Sequence, residues 1–230
     1  MTVRFVRLSY EIRFEHPGWP GNPTYSYEQL SSIEKGDVAN FGMLHLLGHF
    51  GSHVDAPNHF NPDGIKVAQV PLDRFVYERP VLIDVPKGDA ELVRRDELEP
   101  HGAAIAEADV LLLRTGWSEI RKSDPVRYAH HGPGVAPDAC TYLMDGFPGL
   151  KALALDCISL AAFQLIDPEG IVAHQILCGV GRGERYVLII EDLDLAAYPA
   201  GPPPARLYAI PLFPEGTDSS PCTVFAELRE

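Results

Sequence analysis

Three features of this 230-residue chain predict a strand-rich α/β domain of the α+β kind. Short apolar runs recur along it, most of them bounded by proline, glycine or aspartate. Stretches that could form helix are few and short, and no internal repeat divides the chain. With 46% hydrophobic and 22% charged residues, one substantial core organised as a single domain over 1–230 is expected.

The elements follow in order. Val3–Tyr10 (VRFVRLSY) alternates and reads as a first strand. HPGWPGNPTYSY cannot be regular structure, because Pro17, Pro20 and Pro23 with Gly18 and Gly21 fix a loop. That loop carries Trp19, Tyr25 and Tyr27, rings that either face a substrate or cover the edge of the core. Phe41–Leu47 (FGMLHLL) reads as a buried strand, with His45 packed inside it. NPDG is a turn, and VAQVPLDRFVY has apolar residues to pack against the body. Pro80–Pro86 and Ala108–Arg114 are predicted buried strands, with a short helix or turn at Asp96–Leu98 between them.

Ser118–Pro137 reads as a loop with one helical turn, in which His130 and His131 are solvated. Pro137–Asp145 is a predicted helix, with Pro137 near its first position and Gly146 as its stop. Leu150–Asp156 follows as a strand, Ile171–Leu177 as a helix carrying His174, and Tyr186–Ile190 as a strand ending on Glu191. AGPPPA then separates this part from two last strands, Leu207–Leu212 and Cys222–Leu228.

The formal charge of −13 comes with no basic run that could track a phosphate backbone, so nucleic acid is not an expected partner. No stretch approaches the roughly 20 apolar residues of a membrane span. MTVRFVRLSYEIRFEH interleaves charge with apolar residues, unlike a signal peptide, and a cytoplasmic location is expected. Cys140, Cys157, Cys178 and Cys222 are scattered without a CxxC pair, which predicts buried reduced thiols.

The chemistry concentrates in GHFGSHVDAPNHF, Gly48–Phe60, which places His49, His53, Asp55 and His59 within eleven residues. Neutral imidazole and carboxylate are the donors that suit zinc, manganese or iron, and three of them with an open position make a catalytic centre. Pro57 and the glycines exclude a continuous helix, so an extended segment must present the donors. Residues two apart on such a segment face one way; His53 and Asp55 therefore converge, and His49 reaches them if Gly51 bends. His59, beyond Pro57, is a candidate for a base standing beside the metal and not on it. Asp55 could bridge a second cation, for which His174 and Glu191 are the candidate further ligands.

GHFGSHVDAPNHF resembles the HxGTHxDxPxH signature of the cyclase or kynurenine formamidase family of metal-dependent hydrolases, with His49, Gly51, His53, Asp55, Pro57 and His59 in register and Ser52 where threonine is usual. The WPGN loop around Trp19, LLLRTGW ending at Trp117, HQIL at His174 and IIEDLDL at Glu191 have counterparts in the same order. The resemblance implies a swivelling β/β/α-type fold, a homodimer or homotetramer, and hydrolysis of an amide, cyclic amide or related acyl bond of a small molecule by metal-activated water. It implies one metal on His49, His53 and Asp55, a second on Asp55, His174 and Glu191 where the centre is binuclear, and His59 as acid and base. Zinc or manganese is the implied ion, at one or two per subunit. Trp19 and Phe41 could contact a planar substrate. The alternative reading is a catalytically inactive, metal-dependent small-molecule binding or regulatory protein of the same fold; a metal-storage or sensing protein would favour more cysteine near the cluster.

Overall fold

The computed structural model describes residues 2–198, 200–201 and 203–229. In chain order the strands begin with β1 (Val3–Arg7), a hairpin of β2 (Ser26–Ser31) and β3 (Phe41–His45), and β4 (His53–Asp55). β5 (Val76–Tyr77), β6 (Pro80–Asp84) and β7 (Leu92–Val93) follow, then the helices α1 (Arg95–Leu98) and α2 (Gly102–Glu107). β8 (Val110–Arg114) leads to α3 (Trp117–Ser123), α4 (Pro125–His131), β9 (Gly134–Val135), α5 (Pro137–Gly146) and β10 (Ala152–Leu155). α6 (Ile171–Leu177), β11 (Leu188–Glu191), β12 (Arg206–Pro211) and β13 (Ser219–Arg229) complete the described elements. Pro202, inside the predicted AGPPPA separator, lies outside the described residues.

The main sheet runs in the order β5-β12-β13-β4-β11-β10-β8-β6, with β1 also paired to β13. β6, β8, β10 and β11 are parallel, and β4, β13, β12 and β5 continue the sheet in antiparallel pairs. β5 and β6 sit at opposite ends of this order, yet only Glu78 and Arg79 separate them in the chain. The sheet must therefore curl until its two ends nearly meet, a barrel-like form. The bend is held by the Asp109 carboxylate, which accepts the backbone N–H groups of Glu78 at 2.9 Å and Arg79 at 2.8 Å.

Both faces of β8, β10 and β11 are buried, which is why these segments read as continuous apolar runs, whereas β6, at the end of the sheet order, is buried only in part. Along β8, Val110 and Leu112 join the core inside the curl, while Leu111 and Leu113 join the core under the helices. Ala152 and Ala154 of β10 alternate in the same way with Leu153 and Leu155. α5 covers the outer core with Ala139, Cys140, Leu143 and Met144, one face of a helix whose Pro137 occupies the first turn as predicted. All four cysteines are free and buried. Among the described residues no helix is long and apolar enough to cross a membrane.

Two expectations need correction. Phe41–Leu47 is not a buried strand: β3 ends at His45, pairs only with β2 in a separate two-stranded sheet, and is exposed along its whole length. His45 accordingly is not a packed core residue but stands in solvent 3.6 Å from Glu28. Apolar composition reports that a segment tends to be covered, and the partner strand here is itself exposed, so none of the described residues covers it. Ser118–Pro137 holds two helices, not one turn. Asp124 caps α4 by accepting the Arg127 N–H at 3.0 Å, and Pro125 fills its first turn, a start signal hidden in a polar stretch.

Candidate metal centre

β4 is the strand on which the site is built. It lies between β11 and β13, with His53 opposite Glu191 and Pro221, and Asp55 opposite Ile189 and Ser219. The two-residue period points His53 and Asp55 to one face and Val54 to the other, where it enters the inner core. Glu191, directly across from His53, shares their face at the C-terminal end of a parallel strand, the edge where open α/β sheets collect their sites. Before β4 the chain turns at Gly51, whose φ of +68° suits glycine, and this brings His49 back over Asp55. Gly48 packs against β13; a Cβ there would lie 2.4 Å from Ser219 Oγ. After β4, a 3₁₀ turn from Pro57 to His59 swings His59 toward the same face.

Backbone carbonyls fix two of the imidazoles. His53 donates from Nδ1 to Gly51 O at 2.8 Å, and His174 on α6 donates from Nδ1 to Gly170 O at 2.7 Å. Because a carbonyl only accepts, both rings carry their proton on Nδ1 and turn Nε2 inward. His53 Nε2 stands 3.1 Å from Glu191 Oε2 and 3.5 Å from Asp55 Oδ1; His174 Nε2 is 3.6 Å from Glu191 Oε1. Glu191 Oε1 also accepts the Leu160 N–H at 2.6 Å and the Ser159 hydroxyl at 3.2 Å. His49 places Nδ1 3.0 Å from Asp55 Oδ1, and His59 places Nε2 3.9 Å from Asp55 Oδ2.

Burial alone would raise the carboxyls of Asp55 and Glu191. The imidazoles around them reverse that and hold both below the ordinary carboxylate range, Glu191 well below it. Burial likewise opposes a charge on His49, but Asp55 and Asp218 outweigh it and raise His49 to about 10. His53 and His174 are raised in the same sense against burial, chiefly by Glu191.

This set fits a divalent cation. His53 Nε2 and both oxygens of Asp55 are buried and make no hydrogen bond of acceptable geometry, although charged neighbours stand close. Orphaned acceptors of this kind are rare in a folded interior and are accounted for by an ion that they would bind as lone-pair donors. The donor atoms fall into two overlapping groups within which all lie within 4.8 Å of one another: His49, Asp55 and His59, and His53, Asp55 and Glu191. Asp55 belongs to both, as a bridging carboxylate would. The expected first triad of His49, His53 and Asp55 is thus divided between the two groups, and His174 approaches Glu191 rather than Asp55.

The centre floors a cavity of about 280 Å³ whose other walls include Trp19, Asn22, Phe60, Ile158, Ser159 and Ile166. Trp19 lines the cavity and also packs against the small core of Trp117, Tyr128 and Ile158, edge-on to Phe163 with ring centroids 5.3 Å apart. Phe41 is not brought to the site: it lies on the exposed β3, 58% accessible, and is absent from the cavity wall. One residue unforeseen from sequence joins the cluster. Asp218, immediately before β13, has its Oδ2 3.0 Å from His49 Nε2 and 2.8 Å from His59 Nδ1. Its only sequence signal is an acidic residue at a strand start, which is too common to single out.

A family model described as “Putative cyclase” matches residues 6–162. A kynurenine formamidase of Bacillus anthracis is 30% identical over 221 residues, covering 96% of this chain and 95% of that protein. An uncharacterised protein of Haemophilus influenzae is 37% identical over 120 residues, 51% of this chain and 84% of its own length. Among solved structures, isatin hydrolase A from Labrenzia aggregata, bound to benzyl benzoate, superposes with a TM-score of 0.82 over 99% of this chain and 94% of that one, at 24% identity, a likeness of fold. The chain belongs to the cyclase and kynurenine formamidase family of metal-dependent hydrolases.

Proposed function

We propose that this protein hydrolyses an amide, cyclic amide or related acyl bond in a small, planar, largely apolar substrate, with His59 as general acid and base. The observation that carries this reading is the cluster of orphaned buried donors, His53 Nε2 and the Asp55 oxygens, at the floor of a cavity walled by Trp19, Phe60, Ile158 and Ile166. The cation is zinc or manganese, one or two per subunit, held on donors drawn from His49, His53, Asp55, His174 and Glu191. When bound, it would supply Lewis acidity, lowering the pKa of a water toward about 7 and polarising an acyl oxygen.

The residues of the chain do the rest. The apolar wall positions a flat ring system and excludes bulk water from the face on which the acyl carbon lies. His59 presents Nε2 toward the floor and, at 3.9 Å from Asp55, stands farther from it than His49 does at 3.0 Å, as befits a base beside the ion. It accepts a proton from the water that adds to the acyl carbon and returns it to the leaving nitrogen as the C–N bond breaks, giving a carboxylate and an amine. Similarity to a kynurenine formamidase makes N-formyl anilines the first substrates to try, with isatin-like lactams beside them.

The test is His59→Ala in protein loaded with zinc or manganese, assayed on N-formyl anilines, isatin-like lactams, cyclic imides and lactones. The expected result is retained metal with kcat lowered by about 10²- to 10⁴-fold. Full activity in the variant would remove His59 from its role, and no turnover of any substrate by fully loaded wild type would overturn the hydrolytic reading.

A further inference from the structure

The two imidazoles on the solvent side of the centre share a feature that the reaction as described does not use. His49 and His59 come from opposite sides of β4 in the chain, yet their outer nitrogens converge on the same atom, Asp218 Oδ2, at 3.0 and 2.8 Å. Their rings lie against each other, with centroids 4.0 Å apart. A carboxylate oxygen only accepts, so each ring must donate to it: His49 through Nε2–H and His59 through Nδ1–H. In the neutral rings that a metal ligand and a base must be, the remaining nitrogens, His49 Nδ1 and His59 Nε2, carry the lone pairs, and they face the two oxygens of Asp55 at 3.0 and 3.9 Å. Asp218 is itself anchored, because its carbonyl accepts the Ala56 N–H at 2.9 Å, one residue past Asp55.

We propose that Asp218 is a positioning residue that holds His49 and His59 together and selects opposite tautomers in them, so that one ring offers a metal ligand and the other a base from a single carboxylate oxygen. A carboxylate behind a ligating imidazole fixes its ring orientation and raises its basicity. Here the same oxygen does this for the neighbouring base, which couples metal retention to proton transfer. The consequence for turnover rests on the hydrolytic reading above; the consequence for the metal and for the tautomers does not.

The experiment compares Asp218→Asn and Asp218→Glu with wild type. Zinc affinity is measured by chelator competition, kcat and KM at saturating metal, and ring protonation by NMR of ¹⁵N-histidine-labelled, zinc-loaded protein. Asparagine can present its NH₂ where the oxygen was, so D218N is expected to weaken zinc binding by about 10- to 100-fold and to lower kcat by a similar factor with KM within twofold. D218E, which keeps the charge, is expected to recover part of both. The wild-type spectrum is expected to show the proton of His49 on Nε2 and that of His59 on Nδ1. A D218N variant with zinc affinity and kcat within twofold of wild type overturns the proposal, as does a wild-type spectrum with the proton of His59 on Nε2. The spectrum and the zinc affinity are read without any substrate, so failure to find a hydrolysable amide leaves them standing as tests of Asp218 alone.

Discussion

Replacing Glu191 with glutamine separates the metal-binding role of this residue from its structural one, because its two oxygens face different partners. Oε1 accepts the Leu160 N–H at 2.6 Å and the Ser159 hydroxyl at 3.2 Å. A glutamine NH₂ at that position would set donor against donor, so the amide must place its oxygen there and its nitrogen where Oε2 was, 3.1 Å from His53 Nε2. The backbone contact survives and the ligand does not. Loss of one donor from the group of His53, Asp55 and Glu191 is expected to weaken divalent-metal binding at least about 100-fold, or about 2.7 kcal/mol at 1.36 kcal/mol per decade.

The metal-free protein adds a second signature. Glu191 is held well below its usual range, so its contribution to stability is present above about pH 4.5 and lost on acidification. His53 and His174 are raised, so theirs is complete below about pH 6.5 and is lost as pH rises through the folded values. Both conditions hold between about pH 4.5 and 6.5. There the metal-free variant should be destabilised most, by about 2 kcal/mol; this is less than the cost of a stranded buried charge because the imidazoles can shed their protons. Chelator competition at pH 7.5 and thermal melts of the metal-free protein at pH 5.5 and 8.5 check the two parts. Metal affinity within threefold of wild type would refute the assignment of Glu191 as a ligand, and a loss of stability that grows toward alkaline pH would refute the electrostatic account.

Two further outcomes follow from the same geometry. His49 in the metal-free chain is raised to about 10 by Asp55 and Asp218, and a ligating imidazole must be deprotonated, so metal uptake should release a proton and apparent affinity should rise by at least about one decade per pH unit from pH 6 to 9; affinity independent of pH, measured with a non-titrating chelator, would contradict it. Arg121 forms a bidentate buried pair with Asp192 at 2.6 and 2.8 Å, and Tyr128 donates to the same carboxylate at 2.7 Å. Arg121→Ala would strand that charge beside Glu191 and should lower stability by about 3–5 kcal/mol, or about 6–20 °C in Tm; a shift under about 3 °C by calorimetry would mean that the site relaxes or takes in water.

Much of the centre was legible because its signals are local. His53 and Asp55 are two apart in a segment that Pro57 and Gly51 keep from becoming helix, and the two-residue period of extended chain is enough to aim them together. The parallel strands were equally plain, since burial on both faces makes the VLLL of β8 and the ALAL of β10 unbroken apolar runs. What failed depended on partners. FGMLHLL has the composition of a buried strand, and only its pairing with the exposed β2, apart from the main sheet, shows that it is not one. Phe41 went with it, as a ring inferred to face substrate from a strand that never approaches the cavity.

Asp218 marks the point beyond which local reading cannot go. It lies 159 positions past His59, and nothing in TDSSP distinguishes it from other acidic residues at the start of a strand. Register sets where its backbone lies. Because β13 pairs with β4 so that Ser219 stands opposite Asp55, the preceding residue emerges beside Ala56, at the rim from which His59 returns. On the other flank, the pairing of β4 with β11 sets Glu191 opposite His53. The order β13-β4-β11 therefore brings Asp55, Glu191 and the residue that precedes β13 to one edge, with the imidazoles of the motif between them. A slip of one residue in the pairing of β4 with β11 would turn the Glu191 carboxylate to the other face. The buried alternation that fixes these registers, Val54 and Ile190 inward against Val224 and Ala226, is thus also what assembles the centre.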